Sequence, residues 1–441
     1  MKPFIYPNKK IKILFLVLSL QVVWFLFQCS NSTTSNNQGG NQKTDILQQN
    51  TACAGSTSSF SSSVTQPSSP TGIKFTEVGS TFPNNDLIDL EFLPHQNGDA
   101  LVIGQSGAVY YMKNDFTHLS SSVTLDVEYS GEQGLLNVVA DPSYASNCMV
   151  YFYHTVSGGG VNRVIRATVA VNLQNNSFSL SDQQTIIDFN KNFSSSPGDN
   201  HNGGSLFFED DNNLFIGVGD GGGSASSDTT EAIAQNGQTR LGKILRIVPS
   251  HTAGQGGYSI PSSGNNAGSN LSEIYALGLR NPFTLFYGNG ALFIGDVGLD
   301  TYEEIDRATS AGMNFGWPLE EGPGASFVNP IGGYNHGSDI TNHNNEDPQD
   351  NPGGLGDGEA IMLGILYQGS QYNGFLSNRL IYSEFYQGWV RALHLDSSNN
   401  VLSDSHLGHL TGLTSLQEGP DGFLYGVSLY GSDHILRLDL E

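Results

Sequence analysis

The chain has 441 residues, enough for one large or two ordinary domains, with 54 glycines, 14 % charged residues and 10 % aromatics. That balance, with no long stretch of helical period, excludes a helical protein and describes an all-β one with many tight turns. A formal net charge of −24 makes nucleic acid and anionic lipid poor partners and leaves neutral ligands and divalent cations as better ones.

At the N-terminus, Lys9, Lys10 and Lys12 precede an apolar run from Ile13 to Phe27, too short for a comfortable membrane span. The run stops at Leu26-Phe27-Gln28-Cys29 and resembles a bacterial lipoprotein signal, with residues 1–28 removed and Cys29 lipidated. Gln28 stands where a small residue is usual, so an ordinary secretory signal is the alternative. Residues 29–71 are rich in Ser, Thr, Asn, Gln and Gly, cannot bury a core, and read as a flexible tether. Export to the periplasm or surface of a bacterium follows, with the membrane touched only through a lipid at Cys29. Export permits a disulfide between Cys53 and Cys148, but one pair does not make a framework.

From Ile73 on, a turn of Asn, Asp or Gly followed by a short apolar strand keeps returning. The copies carry Ala100 to Gly104, Cys148 to Tyr153, Leu214 to Gly217, Ala291 to Gly295, Leu380 to Tyr382 and Phe423 to Gly426. Six copies, each with room for about four strands, predict a six-bladed β-propeller over residues 72–441. The early strand Ile73 to Val78 is expected to complete a blade built mainly from the C-terminus. An insertion is expected at about 318–359, carrying His336 and His343.

The chemistry concentrates around His201-Asn202-Gly203-Gly204, which opens a hairpin whose second strand, Leu214 to Gly219, ends in Asp220. Imidazole is the usual general base near neutrality, and a carboxylate within reach fixes its tautomer. Leu279-Arg280-Asn281-Pro282 places a cation and an amide in a proline-stopped loop. Gly295-Asp296-Val297-Gly298, Tyr302-Glu303-Glu304-Ile305-Asp306 and Asn314-Phe315-Gly316-Trp317 follow. Their acids and carbonyls suit Ca²⁺, and the alternative for Glu303, Glu304 and Asp306 is a solvated acidic edge.

Together with Gly131-Glu132-Gln133-Gly134 and Gly242-Lys243-Ile244-Leu245-Arg246, these segments resemble the glucose/sorbosone dehydrogenase family, which includes soluble aldose dehydrogenases dependent on pyrroloquinoline quinone (PQQ). The resemblance implies a six-bladed propeller that oxidises aldoses or related sugar alcohols and passes electrons to a soluble acceptor. His201 matches the general base for hydride transfer from the sugar C1 to the quinone, Asp220 its supporting acid, and Arg280 the cation beside the quinone oxygens. Asn281 matches a cofactor contact, and Glu132 falls at the place of another, with Gln133 adjacent. Glu304 and the carbonyl of Phe315 match a calcium site, and the carbonyls of Gly298 and Leu299 match the Ca²⁺ that bridges to PQQ.

One departure concerns charge. The family holds the three PQQ carboxylates with a Lys and two Arg, and those places fall here near Tyr386 and on Gly412 and Thr414, with Arg391 a candidate substitute. The Gly-Asp-Val-Gly and Glu-Glu pattern also resembles hedgehog-interacting-type propellers. A non-catalytic, Ca²⁺-stabilised propeller that binds a protein or glycan is therefore the competing expectation.

Overall fold

Short β-branched and aromatic runs between Asn, Asp and Gly turns fold into six sheets, antiparallel but for one short parallel pair. The computed structural model describes Cys53, Gly55, Ser56, Phe60 and residues 64–94, 97–191, 199–209, 212–222, 232–265, 268–336 and 359–441. The signal segment, Cys29, most of the tether and His343 lie outside the described residues. No helix among the described residues is long and apolar enough to cross a membrane.

Each sheet is one blade of a six-bladed propeller. In chain order the innermost strands are Leu87–Phe92, Leu135–Ala140, Leu206–Phe208, Pro282–Gly288, Ile361–Tyr367 and Leu413–Glu418. Each packs against the innermost strand of the next blade, and the sixth returns to the first, so the ring closes. The six repeated turn–strand segments are the second strands of the six blades. Ile73–Val78 pairs with Ile435–Leu440 and completes blade 6, so the two ends of the domain share one sheet. Cys53 forms a disulfide with Cys148 at a Cα–Cα distance of 5.3 Å, tying the segment before blade 1 to blade 2.

The expected insertion at 318–359 is only partly one. Gly332–Asn335 pairs with Tyr302–Ala308 as the outer strand of blade 4, a strand too short and glycine-rich to show alternation. Before reaching it, the chain crosses back to blade 3, where Met313–Asn314 pairs in parallel with Ile274–Leu277. That excursion brings Trp317 to the blade 3 side.

A chain of side-chain-to-backbone bonds runs around the axis. The Asp89 carboxylate accepts from Val138 N (2.9 Å), Asn137 Oδ1 from Leu206 N (3.1 Å), Ser205 Oγ from Leu285 N (3.0 Å) and Thr284 Oγ1 from Leu363 N (2.9 Å). Ser415 of blade 6 bonds back to Asp89. In blade 5 the corresponding residue, Met362 just before Leu363, has no oxygen to offer. Thr284→Val should leave the Leu363 amide buried and unpaired, lowering unfolding free energy by about 1–3 kcal/mol, whereas Thr284→Ser should not. Denaturant midpoints of the two variants compare these outcomes directly.

Burial pushes the Asp89 carboxyl up to about 6, against the pull of its Ser415, Val138 and Leu90 hydrogen bonds. Its folded value thus lies above the usual carboxyl range, so its contribution to stability is full below about pH 4 and falls as pH rises through about 6. Glu91, raised to about 8 chiefly by burial, acts in the same direction. Asp89→Asn should therefore flatten part of the fall in stability between pH 4 and 7; an unchanged slope would contradict this assignment.

Candidate active site at one end of the propeller axis

The loop before blade 3 and the end of its second strand pack backbone to backbone. A Cβ at Gly219 would lie 2.0 Å from the His201 carbonyl oxygen, so only glycine permits the approach. His201 itself sits at φ 48°, a left-handed conformation that costs a non-glycine residue energy and that clusters at functional sites. Its amide donates to the Glu132 carboxylate at 2.7 Å, which holds the turn.

The ring is held as firmly as the backbone. His201 Nδ1 lies 2.7 Å from Asp220 Oδ1, and both side chains are buried. Asp220 also accepts from Gly222 N at 2.9 Å and from the indole Nε1 of Trp317 at 2.8 Å. Three donors thus satisfy a fully buried carboxylate, and Nε2 is the ring nitrogen left to accept a proton. Behind Asp220, the Lys243 ammonium donates to the carbonyls of Ile233, Ala234 and Leu241. Burial drives Lys243 down to about 7 while the Asp220 charge pulls it up.

Arg280 and Asn281 are placed by Asp296, whose carboxylate accepts both backbone amides at 2.9 and 2.6 Å. Asn281 Oδ1 accepts from Gly203 N at 2.9 Å, locking the Arg280 loop to the His201 loop. The Arg280 guanidinium donates to Val297 O at 2.8 Å and lies 5.7 Å from the Trp317 ring centre, while its buried Nε has no partner among the described residues.

A cavity of about 570 Å³ opens where the innermost strands end, bordered by Ile88, Phe283, Met362 and Thr414 and by the loops carrying Glu132, Asn200, Asn281 and Val297. Its size falls within the range of small-molecule pockets. His201 is not itself in the lining, but it follows the lining residue Asn200 and its backbone amide bonds the lining Glu132 carboxylate. Tyr386, Gly412 and Thr414 all line it, and among the described residues Glu132 is the one charged residue in its lining.

Of the expected site residues, His201, Asp220, Arg280, Asn281 and Glu132 come together. Gln133 does not: its buried amide turns to Gly159 O, to which it donates at 3.0 Å. Arg391 is no substitute cation either, because it is buried in blade 5 against Asp404. Gly298 and Leu299 follow the cavity residue Val297, their amides bonded to Glu303 and Glu321. Phe315 is buried and donates to Leu277 O.

Glu303, Glu304 and Asp306 are no solvated edge. Glu303 is buried and bonded to His336 and to the Ile361 amide. Glu304 gathers instead with Asp296 and Asp306, with carboxylate oxygens within 4.8 Å of one another and all three buried. Burial drives Asp296 up to about 7, Glu304 to about 8 and Asp306 well above the usual range, and neighbouring negative charge adds to each. Among the described residues, no N–H reaches either oxygen of Asp306. Trp317 and Asp296 stand within recognised motifs, but neither role is written in them: one needs the crossing from blade 4 to blade 3, the other a strand partner.

Fold and site together define a propeller with an axial ligand cavity flanked by a buried histidine–carboxylate pair. The glucose/sorbosone dehydrogenase family model matches residues 85–437, and the chain belongs to that family. Among relatives, it is 32 % identical over 235 residues to the HIPL2 protein of Arabidopsis thaliana, covering 46 % of this chain and 31 % of that protein. It is 28 % identical over 236 residues to the aldose sugar dehydrogenase YliI of Escherichia coli, covering 52 % of this chain and 58 % of the other. The chain thus spans less than a third of the plant relative. The PQQ-bound aldose sugar dehydrogenase of Streptomyces coelicolor superposes with a TM-score of 0.61 at 24 % identity over 86 % of this chain and 100 % of that one. The apo form of the Escherichia coli enzyme does so with 0.61 at 18 %, over 84 % and 99 %, which establishes the shared fold.

With Asp220 accepting at Nδ1, neutral His201 should carry its proton there. Ring ¹⁵N NMR should show that tautomer in the native chain and lose it in Asp220→Ala; an Nε2–H tautomer in the native chain would refute the assignment.

Proposed function

We propose that this chain oxidises a neutral aldose or related sugar alcohol held in the axial cavity, with His201 Nε2 taking the hydroxyl proton. The observation that carries this is the His201–Asp220 pair, a base whose tautomer and orientation are fixed by a buried carboxylate with three donors. Asp220 stabilises the imidazolium as it forms, and Trp317 and Gly222 keep the carboxylate from turning away. Arg280 offers a preorganised cation where negative charge gathers on the oxidant. The C1 hydride would pass to a two-electron acceptor beside Arg280, which then carries both electrons away.

The resemblance names PQQ as that oxidant, a quinone that accepts two electrons as hydride. The cavity position of Asn281, next to Arg280 in the chain, suits its oxygens. Its three carboxylates find no such match, because Tyr386, Gly412 and Thr414 bring no charge and Glu132 brings the wrong one. Charge-assisted bonds are worth roughly 1.5–3 kcal/mol each, so their absence removes several kcal/mol of cofactor affinity. PQQ as the family holds it does not fit, and the case for proton abstraction stands on this chain's own residues.

Asp296, Glu304 and Asp306 do fit a divalent cation. Three buried carboxylates with few donors are costly unless protonated or coordinated, and an all-oxygen set suits Ca²⁺. The Cys53–Cys148 disulfide supports export to an oxidising compartment, as the lipoprotein-like N-terminus implies.

A cation-free cavity also favours a second reading, a Ca²⁺-stabilised propeller that binds a glycan or protein without turnover. Purified chain supplied with Ca²⁺, a panel of neutral sugars and a panel of two-electron acceptors, PQQ and soluble quinones among them, separates the two by dye reduction. Sugar-dependent reduction that vanishes in His201→Ala supports the enzyme. Sugar binding that is equal in both proteins, without reduction, supports the binding module. Chelation should lower the melting temperature by a few degrees, and Asp306→Asn should remove that sensitivity.

A further inference from the structure

Trp317 touches both halves of the candidate site. Its indole Nε1 donates to Asp220 Oδ2 at 2.8 Å, and its ring centre lies 5.7 Å from the Arg280 guanidinium carbon. The side chain is buried in close-packed surroundings, so where the indole points is set by where its backbone is held. That backbone belongs to the excursion from blade 4 to blade 3. Phe315 N donates to Leu277 O and Trp317 N to Gly278 O, each at 3.0 Å. Both bonds lie along one edge, Leu277-Gly278, so fixing the angle of the indole takes a contact from another direction.

Gln235 makes that contact. It ends the 3₁₀ turn Ile233–Gln235, between the second and third strands of blade 3. Its Nε2 donates to Trp317 O at 2.8 Å and to Asn314 Oδ1 at 3.0 Å, while its Oε1 accepts from Asn314 Nδ2 at 2.7 Å. One side-chain amide thus grips the excursion on both sides of Gly316, whose N donates to Asn314 Oδ1 at 3.1 Å. The turn beneath is itself held. The buried Lys243 ammonium donates to Ile233 O and Ala234 O at 3.2 and 2.8 Å, and Gly278 N donates to Ala234 O at 3.1 Å. Gly278 has φ 82°, and a Cβ there would lie 2.3 Å from Asn314 Oδ1 and 2.8 Å from Gln235 Nε2. The amide pair therefore closes over a position that only glycine can occupy.

We propose that Gln235 is a positioning residue for His201, acting through the Trp317 backbone and the indole donor to Asp220. This rests on the reading that His201 is the base. Without the indole, Asp220 Oδ2 has no hydrogen bond among the described residues, and the carboxylate is free to turn away from Nδ1. Gln235 acts only through another side chain, so its loss should lower kcat rather than raise KM.

The test compares Gln235→Met, which keeps the reach of the side chain without its amide, with Gln235→Asn, which keeps the amide but shortens the reach. Trp317→Phe and the double variant carrying Gln235→Met and Trp317→Phe complete the set. Hydrogen exchange reads the Trp317 indole N–H, ring ¹⁵N NMR reads the His201 tautomer, and the melting temperature reports the fold. Gln235→Met should speed indole exchange about tenfold, the scale of one lost hydrogen bond. It should also lower the Nδ1–H share of His201 to the level that Trp317→Phe gives, with Gln235→Asn in between. The double variant should show no further change in the tautomer, because a residue acting through Trp317 then has nothing to act on. In sugar oxidation, kcat should fall about tenfold in Gln235→Met at an unchanged KM. Native exchange and tautomer in the folded Gln235 variants, or tautomer losses that add in the double variant, would overturn the positioning role and leave His201 as base. If Gln235→Met does not fold, Gln235→Asn decides by the same two signals. A native chain that turns over no sugar with any acceptor would instead remove the base reading, and the two signals would still decide whether Gln235 orients the pair.

Discussion

Ring closure is the constraint on which everything else depends. A propeller blade cannot bury both faces by itself; it does so only between two neighbours, and the last blade must meet the first. Here the closure has a covalent-order component, with Ile73–Val78 completing the C-terminal sheet, and a polar one near the axis. Asp89, Asn137, Ser205 and Thr284 each reach across to the next blade's backbone, so the innermost strands are held in register with one another. Their upper ends then form a cavity of defined width. The loops that carry His201, Arg280 and Glu132 inherit that precision.

Within this frame the His201 site is assembled from blades 3 and 4 and from the excursion between two strands of blade 4. Blade 3 supplies His201 and Asp220 from the two ends of one hairpin. Blade 4 supplies Arg280 and Asn281, placed by the strand residue Asp296. The excursion after Met313–Asn314 delivers Trp317 to the far oxygen of Asp220. Each contact holds a buried charge with hydrogen bonds in a low-dielectric setting, where an unsatisfied partner is costly and a satisfied one is rigid. Such a histidine needs little reorganisation when it takes a proton.

The charge distribution separates two tasks that a quinone-dependent sugar dehydrogenase must combine. In the proposed reading, proton handling has its base, supporting acid and neighbouring cation together. Holding a multiply charged cofactor has no such set, because the remaining wall is neutral, aromatic and edged with carboxylates. Family membership carries the scaffold and the histidine pair, whereas ligand selection depends on a few side chains that the scaffold does not constrain. Gly412 is the exception, since its backbone geometry forbids a side chain altogether.

Much of this was legible along the chain. The turn–strand repeats identify the second strand of every blade, because a buried apolar run bounded by Asn, Asp and Gly is a local signal. The His201 hairpin, the Arg280-Asn281 loop and the unusual residues at Tyr386, Gly412 and Thr414 are likewise visible in order. Gly332–Asn335 was hidden because four residues rich in glycine carry no period. Gln133 and Arg391 misled because side-chain direction is decided by neighbours: one turns to Gly159, the other to Asp404. The grouping of Asp296 with Glu304 and Asp306, and the bond from Trp317 to Asp220, depend on strand pairing and on a crossing between blades. Sequence by itself determined the repeated strands, the turns and the chemical types available, since these follow from local backbone preference. Only the tertiary structure decided which of those groups share a buried volume, because burial, and with it every charge's partner, is set by the closed ring rather than by neighbours in the chain.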